Sequence, residues 1–170
     1  MADFILLATA DWDHPLWTNK QHVAMALTQL GHRVLYVESL GLRGARAGPS
    51  DRRRILRRLR RALLPPRRIR PGLWVWSPLV LPGGTSGLPL RMNRLSLRAG
   101  LALAQALCGL KRPLLWSFNP LVHEYLPLED FRATIYHCVD RVQAQPGMPA
   151  GRLDAAEREL CRRARVVFTT

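Results

Sequence analysis

The chain reads as an α/β protein, a Rossmann-like open parallel sheet of about six strands with helices on both faces. Three observations predict this. Apolar runs of strand length alternate with helix-length amphipathic stretches, the pattern of right-handed strand–helix–strand crossovers. The first forty residues contain one such unit with both helix ends marked. Polar residues also gather just after the apolar runs, where parallel sheets of this kind bind ligands.

Phe4 to Ala8 (FILLA) has the length and composition of a strand buried on both faces. Asp11-Trp12-Asp13-His14-Pro15-Leu16-Trp17 follows it as a loop. Thr18-Asn19-Lys20-Gln21 then reads as a capping box, with Thr18 as N-cap and Gln21 reaching back. The helix runs to Leu30 and stops at Gly31, the residue best suited to a left-handed turn. Arg33 to Glu38 (RVLYVE) makes the second strand. Ser50 caps an amphipathic helix marked by Ile55, Leu56, Leu59 and Leu63, which Pro65-Pro66 ends. Leu73 to Leu81 (LWVWSPLVL) is the third strand, with Pro78 bending or ending its paired part. A long helix from Pro89 to Leu107 follows, with Leu90, Leu97, Leu101 and Ala104 inward. Leu114 to Phe118 is the fourth strand, Leu121 to Tyr125 a helical turn, and Thr134 to Val139 the fifth strand. Leu153 to Ala164 reads as a charged helix and Val166 to Thr169 as the sixth strand.

A chain of 170 residues is expected to form one domain with a real core. The net charge of +14 stands out, and 24 of the 26 basic residues are arginine. Such an excess calls for an anionic partner: lipid headgroups, nucleotide phosphates or nucleic acid. Cys108, Cys138 and Cys161 lie far apart, which fits reduced thiols in a cytosolic protein. No signal peptide is evident, and no apolar run reaches the ~18 residues of a membrane span. The longest run, Ala99 to Leu110, is broken by Gln105 and two glycines.

Several chemistries are absent. The first strand–helix turn has no glycine, so it is no dinucleotide fingerprint, and Pro82 to Gly87 lacks the lysine of a phosphate-binding loop. No GxSxG elbow occurs. The five histidines show no zinc spacing, so neither a metal nor a cofactor is expected. The best site is the loop from Asp11 to Trp17. An Asp or His there can act as a base toward a hydroxyl, with Asp13 and His14 the catalytic candidates, and indoles stack on sugar faces. A structural reading stands beside this one: Trp12 and Trp17 staple the loop to the core while the aspartates make turn hydrogen bonds. Glu38, Asn119, Asp140 and Arg141 sit at other strand ends and would converge on the same rim.

Ten arginines lie between Arg52 and Arg70, with Asp51 the sole acid beside them. Arg52, Arg53, Arg54, Arg57, Arg58, Arg60 and Arg61 are candidates for contact with an anionic membrane surface, which relieves their mutual repulsion. A solvated helix face and a contact with a further domain are the alternatives. Nucleic acid is not expected, because no base-reading motif accompanies the charge.

Four stretches taken in order carry a resemblance: Pro15 to His22, Leu30 to Glu38, Ile135 to Asp140 and Ala164 to Thr170. The chain resembles the N-terminal half of a GT-B glycosyltransferase, of the family-1/family-4 type that builds bacterial polysaccharides and glycolipids. Residues 1–170 would then be the acceptor-side domain. The donor-binding domain would lie outside the chain, which is expected to be cut from something longer. The resemblance implies a nucleotide-sugar donor, a glycan or lipid-linked acceptor, no obligatory metal, and a cytoplasmic location, peripheral on the inner face of the plasma membrane. Asp13, His14, Asn19 and Asp140 would line the acceptor side of the cleft, and Trp12, Trp17, Lys20, Glu38, Asn119 and Arg141 join Asn19 and Asp140 as the candidate substrate-binding residues. Many members carry a glycine-rich turn where this chain has Asp11-Trp12-Asp13-His14-Pro15. That leaves the acceptor, and inversion or retention, open. The alternative is a self-sufficient, non-enzymatic module that binds an anionic surface or a nucleotide.

Overall fold

The computed structural model describes residues 1–40, 60–81, 86–139 and 150–170. Its elements are β1 (Asp3–Leu7), α1 (Asn19–Gln29), β2 (Arg33–Val37), β3 (Arg67–Arg70), β4 (Leu73–Trp76), α2 (Gly87–Cys108), β5 (Leu114–Ser117), α3 (Val122–Tyr125), β6 (Thr134–Cys138), α4 (Ala150–Arg163) and β7 (Val166–Thr169). A short 3-10 turn, Leu128–Asp130, precedes β6. The strands form one sheet in the order β3-β4-β2-β1-β5-β6-β7. Every pairing is parallel except β3 with β4.

The α/β class with helices on a mostly parallel sheet is as expected, but the sheet has seven strands, one of them antiparallel, where the sequence predicts about six parallel ones. The additional strand, β3, is an edge strand joined to β4 through an irregular register between Arg68 and Arg70. The third expected strand is shorter than Leu73 to Leu81, because β4 ends at Trp76. Of the expected arginine-rich helix, residues 60–64 lie within the described residues: Arg60 to Ala62 are helical, and the chain already turns at Leu63 and Leu64.

β1 alternates strictly between two cores. Phe4 and Leu6 pack with Val34, Tyr36, Ala24 and Leu27 under α1. Ile5 and Leu7 pack with Leu35, Val37, Leu97 and Leu101 under α2, a core that α4 continues through Leu153 and Leu160. Helices thus cover both faces, which is why β1 and β2 read as uninterrupted apolar runs. The capping box of α1 forms as expected. Gly31, at φ +81°, reverses the chain after the helix. Asp3 ties three strand starts together at the opposite edge of the sheet: it forms a two-pronged pair with Arg33, at 2.7 and 2.6 Å, and accepts the Lys111 amide at 2.6 Å. β7 closes the sheet with all four residues exposed.

Candidate functional site

The chain reverses its direction of sheet growth at β1. After β1 it builds toward β2 and β4, then returns to lay β5 on the other side of β1. A crevice opens at such a switch point, outside the carboxyl ends of the strands, and it is where open α/β sheets bind ligands. The loop from Asp11 to Trp17, the first turn of α1 and the residues after β5 and β6 meet there.

Backbone and buried side chains hold the loop. Trp12 is buried, edge-on to Tyr36 at 5.0 Å, and its amide donates to Glu38 Oε1 at 2.8 Å. The other Glu38 oxygen accepts the Ser77 hydroxyl. Tyr36 donates its hydroxyl to the Ala10 carbonyl at 3.0 Å. Burial, reinforced by the negative charges of Glu38 and Asp11, pushes that phenol far above its ordinary value, so it stays a donor. Gln21, fully buried, accepts the Thr18 amide at 3.1 Å and donates to the Asp11 carbonyl at 3.1 Å. One glutamine thus caps α1 and fixes the loop that precedes it.

The candidates divide by exposure. Trp12 and Glu38 are buried within this scaffold and position the loop. Asn119 is buried too: its Oδ1 accepts the Leu121 amide at 2.9 Å and so turns the chain after β5. Asp13 is exposed but engaged by Arg61 at 3.0 Å and Arg67 at 2.8 Å. Arg61 also lies 4.0 Å from Glu38, so it faces the loop, whereas Arg60 is exposed. His14 is exposed, with Nδ1 2.9 Å from the Leu16 carbonyl oxygen. Trp17 leans on Trp12 at 5.2 Å and on His22 at 5.7 Å, and remains 43% exposed. Asn19 opens α1, half-buried. Asp140, Arg141, Arg52, Arg53, Arg54, Arg57 and Arg58 lie outside the described residues.

Lys20 is the electrostatic anomaly. It is only 8% exposed, and its ammonium sits 5.7 Å over the Phe118 ring. Among the described residues no carboxylate pairs with it. His137 of β6 stacks on the same ring at 4.7 Å and is also 8% exposed. Neither of its ring nitrogens has a hydrogen-bond partner among the described residues. Burial, and then the charge of Lys20, lowers its pKa and keeps the ring neutral at neutral pH. Sequence reasoning found Lys20 but not this role for His137; the available signal was a lone imidazole inside an otherwise apolar strand. Chemically, the rim presents a buried cation that has no counter-ion among the described residues, an aromatic wall, an exposed imidazole and an exposed indole. That set can receive an anionic group on Lys20 and a sugar face on Trp17. No group of side chains suited to a metal ion occurs among the described residues.

No protein-family model matches the chain, and a search of curated proteins finds no match.

Proposed function

We propose that this chain is the acceptor-side domain of a GT-B glycosyltransferase, in which a sugar passes from a nucleotide-sugar to a glycan or glycolipid acceptor. The observation that carries the reading is the buried Lys20 ammonium at the switch point, unpaired with any carboxylate among the described residues, in a rim whose loop exposes Trp17 and His14. The order of the four resembling stretches adds to it. In this reading Lys20 holds a phosphate oxygen of donor or acceptor, and Trp17 stacks on a sugar ring. His14, in the tautomer whose Nδ1–H donates to the Leu16 carbonyl, offers Nε2 as base to the acceptor hydroxyl; in the other tautomer Nδ1 accepts the Leu16 amide. Asp13 serves the loop rather than the proton, since two arginines already hold it.

The test is sugar transfer by the complete gene product, with and without substitutions at these positions. His14→Ala should lower kcat by ~100-fold or more, the usual scale of a lost general base. Lys20→Met should raise KM by ~10-fold or more, through loss of one charge-assisted hydrogen bond. The 170-residue chain alone should transfer no sugar. Transfer indifferent to both substitutions defeats the proposal. The second reading, a non-enzymatic module, is favoured by the same lysine. It requires phosphate or nucleotide binding that Lys20→Met abolishes, with no transfer by any form of the protein.

A further inference from the structure

The long helix α2 has two apolar faces, and the sheet uses only one. Its inward face carries Leu97, Leu101, Ala104 and Cys108, all buried. At 3.6 residues per turn, Leu88, Met92, Leu95, Ala99 and Leu103 fall on the opposite side, within a sector roughly 80° wide. Leu107 continues the stripe. These side chains face outward: Leu88, Leu95 and Leu103 are 68%, 72% and 62% exposed. The stripe runs for about 28 Å along the helix. Scattered exposed leucines need no explanation, but an unbroken row of this length does.

The charges along α2 indicate what covers it. The helix contains no Asp or Glu, and its exposed charges are Arg91, Arg94 and Arg98, all on one flank of the stripe. Arg91 has no ion-pair partner among the described residues, and Arg98 reaches Asp130 only at 4.0 Å, with both groups in solvent. Along the other flank, residues 79–81 are tied down to the helix. Asn93 accepts the Leu81 amide at 2.7 Å and donates to the Leu81 carbonyl at 3.1 Å; Ser96 donates to the Leu79 carbonyl at 2.8 Å. Leu79 and Leu81, both partly exposed, widen the apolar strip at that end.

We infer that α2 is a lipid-contact helix, lying along an anionic membrane surface with its leucine stripe in the headgroup–acyl boundary. Apolar area plus diffuse positive charge is what such a surface recognises, and α2 offers both. A second copy of this chain fits worse. Each copy carries a net charge of +14, and stripe against stripe in an antiparallel pair sets arginines beside arginines. A protein partner would need acidic side chains fixed opposite Arg91, Arg94 and Arg98 along one flank, whereas an anionic lipid surface meets them in any orientation. The inference is independent of the transferase reading. It also moves lipid contact away from Arg61, whose guanidinium is taken up by Asp13.

Flotation of the 170-residue chain with phosphatidylcholine vesicles, with and without phosphatidylglycerol, tests it. The parent should float with the phosphatidylglycerol vesicles, and added salt should weaken the association. Leu95→Glu/Leu103→Glu should weaken it by ~10-fold or more without moving the unfolding midpoint, because both side chains are exposed. Arg91→Gln should weaken it less, and only on anionic vesicles. Equal flotation of the parent and the double-glutamate variant overturns the inference, as does a parent that binds no vesicles. Light scattering decides against it in favour of a second copy if the parent is a dimer that the double-glutamate variant dissociates while neither floats.

Discussion

His137 holds both ring nitrogens in the protein interior without a partner among the described residues, beside Phe118, Trp116 and Phe168. A buried polar group left in that state costs ~1–3 kcal/mol. His137→Phe should therefore raise stability by ~1 kcal/mol, read as a higher urea midpoint at unchanged slope. The same imidazole sets a pH dependence. Its folded-state pKa lies below the ordinary 6.5, so on acidification the unfolded chain takes up its proton first. Stability is then complete above pH 6.5 and is lost as pH falls through the lowered value. His123, lowered mainly by burial, acts in the same direction. A urea series against pH should show the acid limb, and His137→Phe should flatten it in part. Thiol chemistry should follow burial in the same way. Cys108, pushed up to about 11 by burial, should resist iodoacetamide at neutral pH, while exposed Cys161 reacts ahead of it.

At the scale of elements, α2 offers a test whose sign is informative. Gly100 lies mid-helix, where replacement by Ala ordinarily stabilises by up to ~1 kcal/mol. Here an added Cβ would stand 2.7 Å from the Trp76 ring, closer than packing allows. Gly100→Ala should instead destabilise by ~1–3 kcal/mol, measured by urea unfolding, because the indole must shift. Most elements were legible in the sequence, for physical reasons. β1, β2, β5 and β6 are short apolar runs, and α1 carries its stop and start signals in Thr18, Gln21 and Gly31. β3 was not legible: of its three arginines and one isoleucine after Pro65-Pro66 only Ile69 packs against the core, so no apolar run marks the strand that backbone bonds to β4 make. β4 ends early because Ser77 turns to Glu38, after which the chain peels toward α2. In the site, the loop and Lys20 could be read from position and residue type. The work of Asp13 could not, since its partners Arg61 and Arg67 lie far along the chain. Nor could that of His137, which a sequence presents as one more core residue.

The whole molecule carries a net charge of +14, so its compact state works against its own field. Added sodium chloride should raise the thermal midpoint, the reverse of the trend expected if the surface ion pairs dominated. A thermal melt across a salt series checks this. The placement of β1 bears on how the molecule is made. β1 leaves the ribosome first, yet it is the strand with parallel neighbours on both sides at the switch point. One neighbour, β2, is complete at Val37, but the other, β5, ends only at Ser117. At ~5–20 residues per second, the open side of β1 waits roughly 4–16 s for its partner. Throughout that interval the nascent chain displays an unpaired apolar strand, open to chaperones or to the wrong neighbour. Products released before Leu114 should accumulate as aggregates, so the order of translation is a hazard that this topology carries with it.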